Sequence, residues 1–224
     1  MRTKILRHVG DVGIAVALFA AMACSPAPTE ARADPPPPPP AARLSAPWLV
    51  TVYYTAVESF HDEDPVPVTG CPVLDCAHGT TLLGRHPADF LAAVREEGTG
   101  RITTGPERGQ YLNWSHNVGY WLDDEPRDAA GNILVPFVSA AADGVRSGTR
   151  VELVDCGTLI TGGPVPVHLC RQLRRGIWQI RDEFTPGYGG ENHIDLYVGE
   201  ENTPNFTKSE RYVSLVGATL SLNG

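Results

Sequence analysis

The sequence is short of positive charge. Its 224 residues carry 18 Lys and Arg against 26 Asp and Glu, a formal net charge of −8. Four of the 18 and two of the 26 fall in the first 33 residues, so the rest holds 14 against 24, or −10. With no basic stripe, the chain is not built to track a nucleic acid or an anionic membrane surface. Long hydrophobic runs are missing too. The run "VGIAVALFAAMA", Val12 to Ala23, is too short to span a bilayer comfortably. No internal repeat is visible, and no C-x2-C pair offers the tight ligand spacing of a zinc site. Ser115–His116 and the other Ser/His pairs lack the context of a nucleophile elbow, which argues against a serine hydrolase. "HDED", His61 to Asp64, has the composition of a hard-metal cluster but reads as a solvated loop. Nothing in the chain asks for a metal or a cofactor.

What is present begins with an export signal. Arg2, Lys4, Arg7 and His8 form a basic region ahead of the apolar run, so residues 1–33 read as a signal peptide. Two cleavage points stand open. "AMAC" is a weak lipobox that would make Cys24 the lipidated first residue, and "ARA" before Asp34 is an ordinary A-x-A site. Residues 34–46 follow as a linker whose six consecutive prolines favour polyproline II and cannot pack a core. Residues 47–224 remain as one domain of ordinary size. Cys71, Cys76, Cys156 and Cys170 are an even set in an exported chain, which points to disulfides. Of three connectivities, sequence proximity favours Cys71–Cys76 and Cys156–Cys170.

Along the domain, "WLVTVYYTAVESF" from Trp48 reads as a strand. The segment from His61 to Thr80 reads as a loop pinned by the first cysteine pair. His86 to Gly100 is the best helix, with Pro87 in its first turn, Phe90, Leu91 and Val94 on one face, and Gly98 to end it. Arg95 to Glu97 reads as helix surface. Residues 109–128 are aromatic with little period. Five short runs, within 133–141, 148–156, 176–184, 193–199 and 212–222, read as strands between Gly and Pro turns. One helix among six or more short strands suggests a small closed barrel.

Three aspartates stand at comparable places: Asp143 before a strand, Asp182 at the end of one, and Asp195 within one. Asp is a poor strand former, yet Asp195 sits between His193 and Tyr197 on the polar side of Ile194, Leu196 and Val198. The blocks "SAAADGVRSGTRVEL", "WQIRDEF" and "GGENHIDLYVG" together resemble the three-aspartate (3D) domain shared by the lytic transglycosylase A family and other bacterial cell-wall proteins. Asp143, Gly148, Thr149 and Val151 match its first block, Asp182 its second, and Gly190, Ile194, Asp195, Leu196 and Tyr197 its third. The opening "VTVYYTAVES" resembles its first strand. Gly144 and Ser147 stand where prolines are usual, "DEFTPG" replaces "DTGG", and residues 61–135 have no counterpart.

The resemblance implies a mainly β fold: a six-stranded double-psi β-barrel with one or two added helices and disulfide-pinned loops. It implies peptidoglycan glycan strands as substrate. The reaction is cleavage of the MurNAc–GlcNAc bond by attack of the muramoyl 6-hydroxyl on its own C1. Asp195 takes the role of general acid and base, with Asp182 and Asp143 as neighbouring carboxylates. One carboxyl suffices, because the internal nucleophile needs no second group to activate water. His193, Tyr54 and Tyr197 are candidates to hold the sugar. Tyr53, Trp114, Tyr120, Trp121 and Trp178 are open between stacking on sugar rings and packing a core. Two other functions stay open: a non-catalytic, expansin-like polysaccharide-binding module, and an inverting glycoside hydrolase using two aspartates. The expected location is secreted or in the cell envelope, as a monomer that meets membrane only through a possible lipid anchor.

Overall fold

The computed structural model describes residues 43–223. The expected signal, Cys24 and linker residues 34–42 lie outside them. Strand β1 runs Arg43–Val57 and places Val50, Val52, Tyr54 and Ala56 on its buried side. A 3-10 turn at Glu58–Phe60 ends it. An excursion follows, carrying β2 (Pro65–Gly70), β3 (Thr81–Pro87), helix α1 (Ala88–Glu97), β4 (Thr99–Arg101), β5 (Tyr111–Ser115) and β6 (Gly119–Asp123). The chain then continues as β7 (Ser139–Ala142), β8 (Arg150–Asp155), the two-residue β9 (Thr158–Leu159), helix α2 (Val167–Arg174), β10 (Trp178–Asp182), β11 (His193–Glu200) and β12 (Leu215–Asn223).

Six of these strands close on themselves in the order β1-β11-β7-β10-β8-β12, with β12 returning to β1. Closure leaves no free edge within the ring. The ring has an internal two-fold pattern. Exchanging β1 with β10, β7 with β11 and β8 with β12 maps every pairing onto one of the same sense, with β11–β7 and β8–β12 mapping onto themselves. The parallel pair β1–β11 becomes the parallel pair β10–β7, and the antiparallel β12–β1 becomes the antiparallel β8–β10. The two interlocked crossovers make this a double-psi barrel. Its interior is filled by the inward alternates: Val50 and Val52, Ala140 and Ala142, Val151 and Leu153, Trp178 and Ile180, Ile194 and Leu196, Ala218 and Leu220.

The excursion is more ordered than its sequence suggests. The expected loop from His61 contains β2, which pairs with β3 in a separate hairpin. β4 lies parallel to the far end of β1, through Ala56↔Gly100 and Val57↔Arg101, and β5 and β6 extend that sheet outward. Helix α1 begins at Ala88 behind Pro87 and ends where Gly98 adopts φ 88° and donates its N–H to the Val94 carbonyl. Two disulfides, Cys71–Cys76 and Cys156–Cys170, pin the loops, with Cα separations of 5.9 and 6.0 Å.

Candidate active site

Three strands within the run β1-β11-β7-β10 turn polar residues outward at one place. In the parallel pair β1–β11, Thr51 stands opposite Asp195 and Tyr53 opposite Tyr197. On the other side of β11, Asp195 faces Ala141 of β7. Ala141 in turn faces Asp182, where a register irregularity between Ile180 and Asp182 displaces the end of β10. The two aspartates therefore flank one alanine, and a methyl group is all that stands between them. At a strand spacing of about 4.8 Å, their backbones lie roughly 10 Å apart. Ile194 and Leu196, each 1% exposed, lock β11 to the core on either side of Asp195. An unfavourable residue is thereby held in a rigid strand.

Asp195 is half-buried and accepts a hydrogen bond from Thr51 Oγ1 to Oδ1 at 2.8 Å. Burial pushes its carboxyl up to about 7; the Thr51 hydroxyl works against that, and the charge of Asp182 adds to it. Asp182 accepts from the Glu183 N–H at 2.9 Å, the Tyr53 hydroxyl at 3.2 Å and the Ala129 N–H at 3.4 Å. Burial and then the nearby charge of Asp128 push it up to about 6, with those donors opposing. His193 Nε2 lies 2.9 Å from the Thr51 hydroxyl, and its ring packs against Phe184 with centroids 4.5 Å apart. Burial holds its pKa below the ordinary value.

These groups open into a cleft of about 700 Å³ whose second wall is the excursion. Trp114 of β5 lines it, with the Arg95 guanidinium 5.7 Å above the indole. Glu97 of α1 lines it as well. Contrary to its reading as helix surface, Glu97 is 7% exposed. It accepts from the Tyr212 hydroxyl at 3.0 Å and the Tyr54 N–H at 3.3 Å. Burial, followed by the charge of Asp195, holds its carboxyl well above the ordinary range. The signal for it was there: Phe90, Val94 and Glu97 follow the i, i+4, i+7 spacing of one helix face.

Of the residues read from sequence, Asp195, Asp182 and His193 meet in this cleft, together with Tyr53 and Trp114. Asp143 does not line the cleft: it is exposed and accepts the Gly190 N–H at 3.1 Å, which ties down the loop leading into β11. Tyr54 points into the barrel against Phe206 at 4.8 Å, since it alternates with the outward Tyr53. Tyr197 shares the outward face with Asp195, but the excursion covers it: it is 1% exposed, packed with Tyr53 and Leu134, its hydroxyl 2.5 Å from Thr55 Oγ1. Neither tyrosine is available to a sugar. Trp121 and Trp178 are core, and the Tyr120 hydroxyl is spent on the Leu91 carbonyl at 3.0 Å. His61 is not a solvated loop residue, because it bridges Asp89 at 3.0 Å and Glu201 at 2.9 Å. Among the described residues, no group of His, Cys, Asp and Glu is arranged to hold a metal ion.

No family model and no curated protein matches the chain in sequence. Among solved structures, it is similar to the lytic transglycosylase MltA of Escherichia coli, at 13% identity over 78% of this chain and 71% of that one, with a TM-score of 0.42. A membrane-bound lytic murein transglycosylase of Agrobacterium tumefaciens is 12% identical over 79% and 73%, with a TM-score of 0.45. MltA of Neisseria gonorrhoeae is 13% identical over 79% and 73%, with a TM-score of 0.43.

Proposed function

We propose that the protein is an exported lytic transglycosylase that cleaves the MurNAc–GlcNAc bond of peptidoglycan, with Asp195 as general acid and then general base. The observation that carries this reading is the state of Asp195, a carboxyl pushed up to about 7 on a rigid strand at the floor of a cleft. Such a group holds a proton near neutral pH and can donate it to the departing glycosidic oxygen. The resulting carboxylate then accepts the proton of the muramoyl 6-hydroxyl as that oxygen attacks C1. The proton count closes on one residue, and no water is consumed. Asp182 raises the proton affinity of Asp195, and Asp143 holds the loop before β11. Trp114, half-buried in the wall, is the candidate sugar platform. Two disulfides suit an oxidising compartment outside the cytoplasm. The candidate partner is therefore an envelope glycan.

One observation favours a second reading. Asp182 and Asp195 flank Ala141 from strands two spacings apart, and inverting glycosidases set their two carboxyls apart to admit a water. Against it, Asp182 is already engaged by three donors, which occupy the lone pairs it would turn to a water.

Mass spectrometry of purified peptidoglycan after incubation with residues 43–224 separates these readings. Anhydro-muropeptides from the native protein, falling at least ~100-fold in Asp195→Asn, are the expected result. Products with reducing ends would transfer the assignment to the inverting pair. Wall binding without any product would leave an expansin-like module.

A further inference from the structure

Cations are scarce in this chain, and they are unevenly placed. Residues 156–181 contain no Asp or Glu and four Arg, three of them at Arg171, Arg174 and Arg175 in and just beyond helix α2. Leu169 and Leu173 turn one face of α2 into the core, and Cys170 ties the helix through its disulfide to Cys156, just past β8. Another face carries His168, Arg171, Gln172 and Arg175, at the i, i+3, i+4, i+7 spacing. Together with Phe137 and Gly176 these residues line a cavity of about 380 Å³. That volume lies within the span of small-ligand sites, roughly 300–1,000 Å³. None of its lining residues lines the cleft that holds Asp195.

Two further observations mark this cavity. Arg174 turns its guanidinium to the Leu153 carbonyl at 3.3 Å, and His168 meets Glu210 at 3.1 Å. Among the described residues, the Arg171 and Arg175 guanidiniums and the Gln172 amide hold no hydrogen-bond or ion-pair partner. Phe137 adopts φ 59°, a left-handed backbone that a bulky residue rarely takes. Its N–H is bound to the Tyr197 carbonyl and its carbonyl to the Ile177 N–H, each at 2.9 Å, and its ring packs on Trp178 at 5.9 Å. Strain of this kind persists where the surroundings over-determine it, and it gathers at ligand sites. Compensation of the helix dipole accounts for basic residues in a last turn. It does not account for a cavity between them.

We propose that Arg171, Gln172 and Arg175, beside Phe137, form a second binding site, one that takes the phosphate group of a phosphate ester. Residues four apart on a helix are neighbours, so the two guanidiniums can converge on one anion. A carboxylate is filled by a single guanidinium fork, whereas the oxygens of a phosphate serve two forks with the Gln172 amide beside them. Val167 and Ile177, next in sequence to lining residues, are largely exposed and give the carbon skeleton of an ester an apolar border. The excess of acid elsewhere in the chain confines the attraction to this one group and leaves no stripe along which a charged polymer could lie.

The test uses residues 34–224, labelled with 15N, at low ionic strength. The Nε–Hε signals of the arginines are followed by NMR while glycerol 3-phosphate is added. Saturable shifts at Arg171 and Arg175 are expected, with glycerate, the same skeleton bearing a carboxylate, binding at least ~10-fold more weakly. Arg171→Gln and Arg175→Gln each weaken glycerol 3-phosphate at least ~10-fold, as the loss of a charge-assisted hydrogen bond requires. Arg174→Gln, which removes the same charge from outside the cavity, changes binding less than ~3-fold. In a parallel arm the protein is sedimented with vesicles of phosphatidylglycerol and phosphatidylcholine, and with phosphatidylcholine alone. Binding to the anionic vesicles that depends on Arg171 and Arg175, without a response to glycerol 3-phosphate, assigns the site to the phosphate of a lipid headgroup. A response to glycerol 3-phosphate without vesicle binding assigns it to a soluble or polymer-borne ester. The proposal is overturned if neither probe binds, if glycerate binds as tightly as glycerol 3-phosphate, or if Arg174→Gln costs as much as Arg171→Gln, since the effect is then diffuse charge. The readouts do not involve peptidoglycan, so they stand or fall apart from the assignment of Asp195.

Discussion

At the scale of single residues, the site is a set of carboxyls made reluctant to ionise, and that has a cost in stability. The folded chain keeps a proton on Asp195 up to about pH 7, whereas the unfolded chain loses it near 3.9. Between those values the folded state binds more protons, so stability falls as pH rises through the window. Asp195→Asn removes this contribution, and we expect urea unfolding to show the variant more stable than the native protein at pH 8, by at most about 4 kcal/mol, with the two converging near pH 4. A variant less stable at pH 8 would contradict the raised carboxyl. Asp195 was legible in the sequence because an aspartate in the middle of an apolar alternation is a local conflict, and such conflicts gather at functional sites. Tyr197 shares that alternation and was misread. Alternation reports which face a side chain takes, and here a distant segment covers that face.

At the scale of elements, the geometry of the cleft floor depends on a small residue in a short strand. Ala141 pairs with Asp195 on one side and Asp182 on the other. Ala141→Leu is expected to fill the gap between the two carboxyls and cut turnover by more than ~10-fold, for a stability cost of roughly 1–3 kcal/mol. Unchanged turnover in a folded variant would show that the cleft floor does not matter there. Trp114→Ala is expected to raise KM for glycan strands about 10-fold with little change in kcat, by analogy with the value of one stacked ring. Strand β11 was readable from its alternation and helix α1 from its apolar face and terminal Gly98, whereas β7 is buried at all four positions and the run read at 133–141 meets only its first three residues. Nor was β5 readable. Leu112, Asn113 and Ser115 are all buried, so both faces are covered and no period survives. Glu97 was passed over for the opposite reason: its type spoke for the surface while its position spoke for the buried face.

At the scale of the whole molecule, a buried ionic clamp ties the excursion to the barrel. His61 lies between Asp89 of α1 and Glu201 beyond β11, and Glu201 also accepts the Val57 N–H at 2.6 Å. Burial disfavours the charged ring, but the two carboxylates outweigh it and raise the His61 pKa. Its contribution is therefore fully present below about pH 6.5 and is lost as pH rises through the folded value. We expect the melting temperature of His61→Leu to fall below that of the native protein most at pH 5–6, with the gap narrowing above pH 8. A gap that does not change with pH would show that His61 acts through packing alone. None of this was legible in the sequence, because the three residues are 28 and 112 positions apart along the chain and only closure of the barrel brings them together. That closure also dictates an order of events. Within the ring, strand β1 is held only by β11 and β12, the last two of the six in chain order. Until they emerge, the first strand has no partners in the ring, and the nascent chain stays unfolded and threadable. A ribosome-stalled chain ending before residue 193 should accordingly be digested by protease at the rate of an unfolded polypeptide, and resistance should appear only once β12 is clear of the exit tunnel.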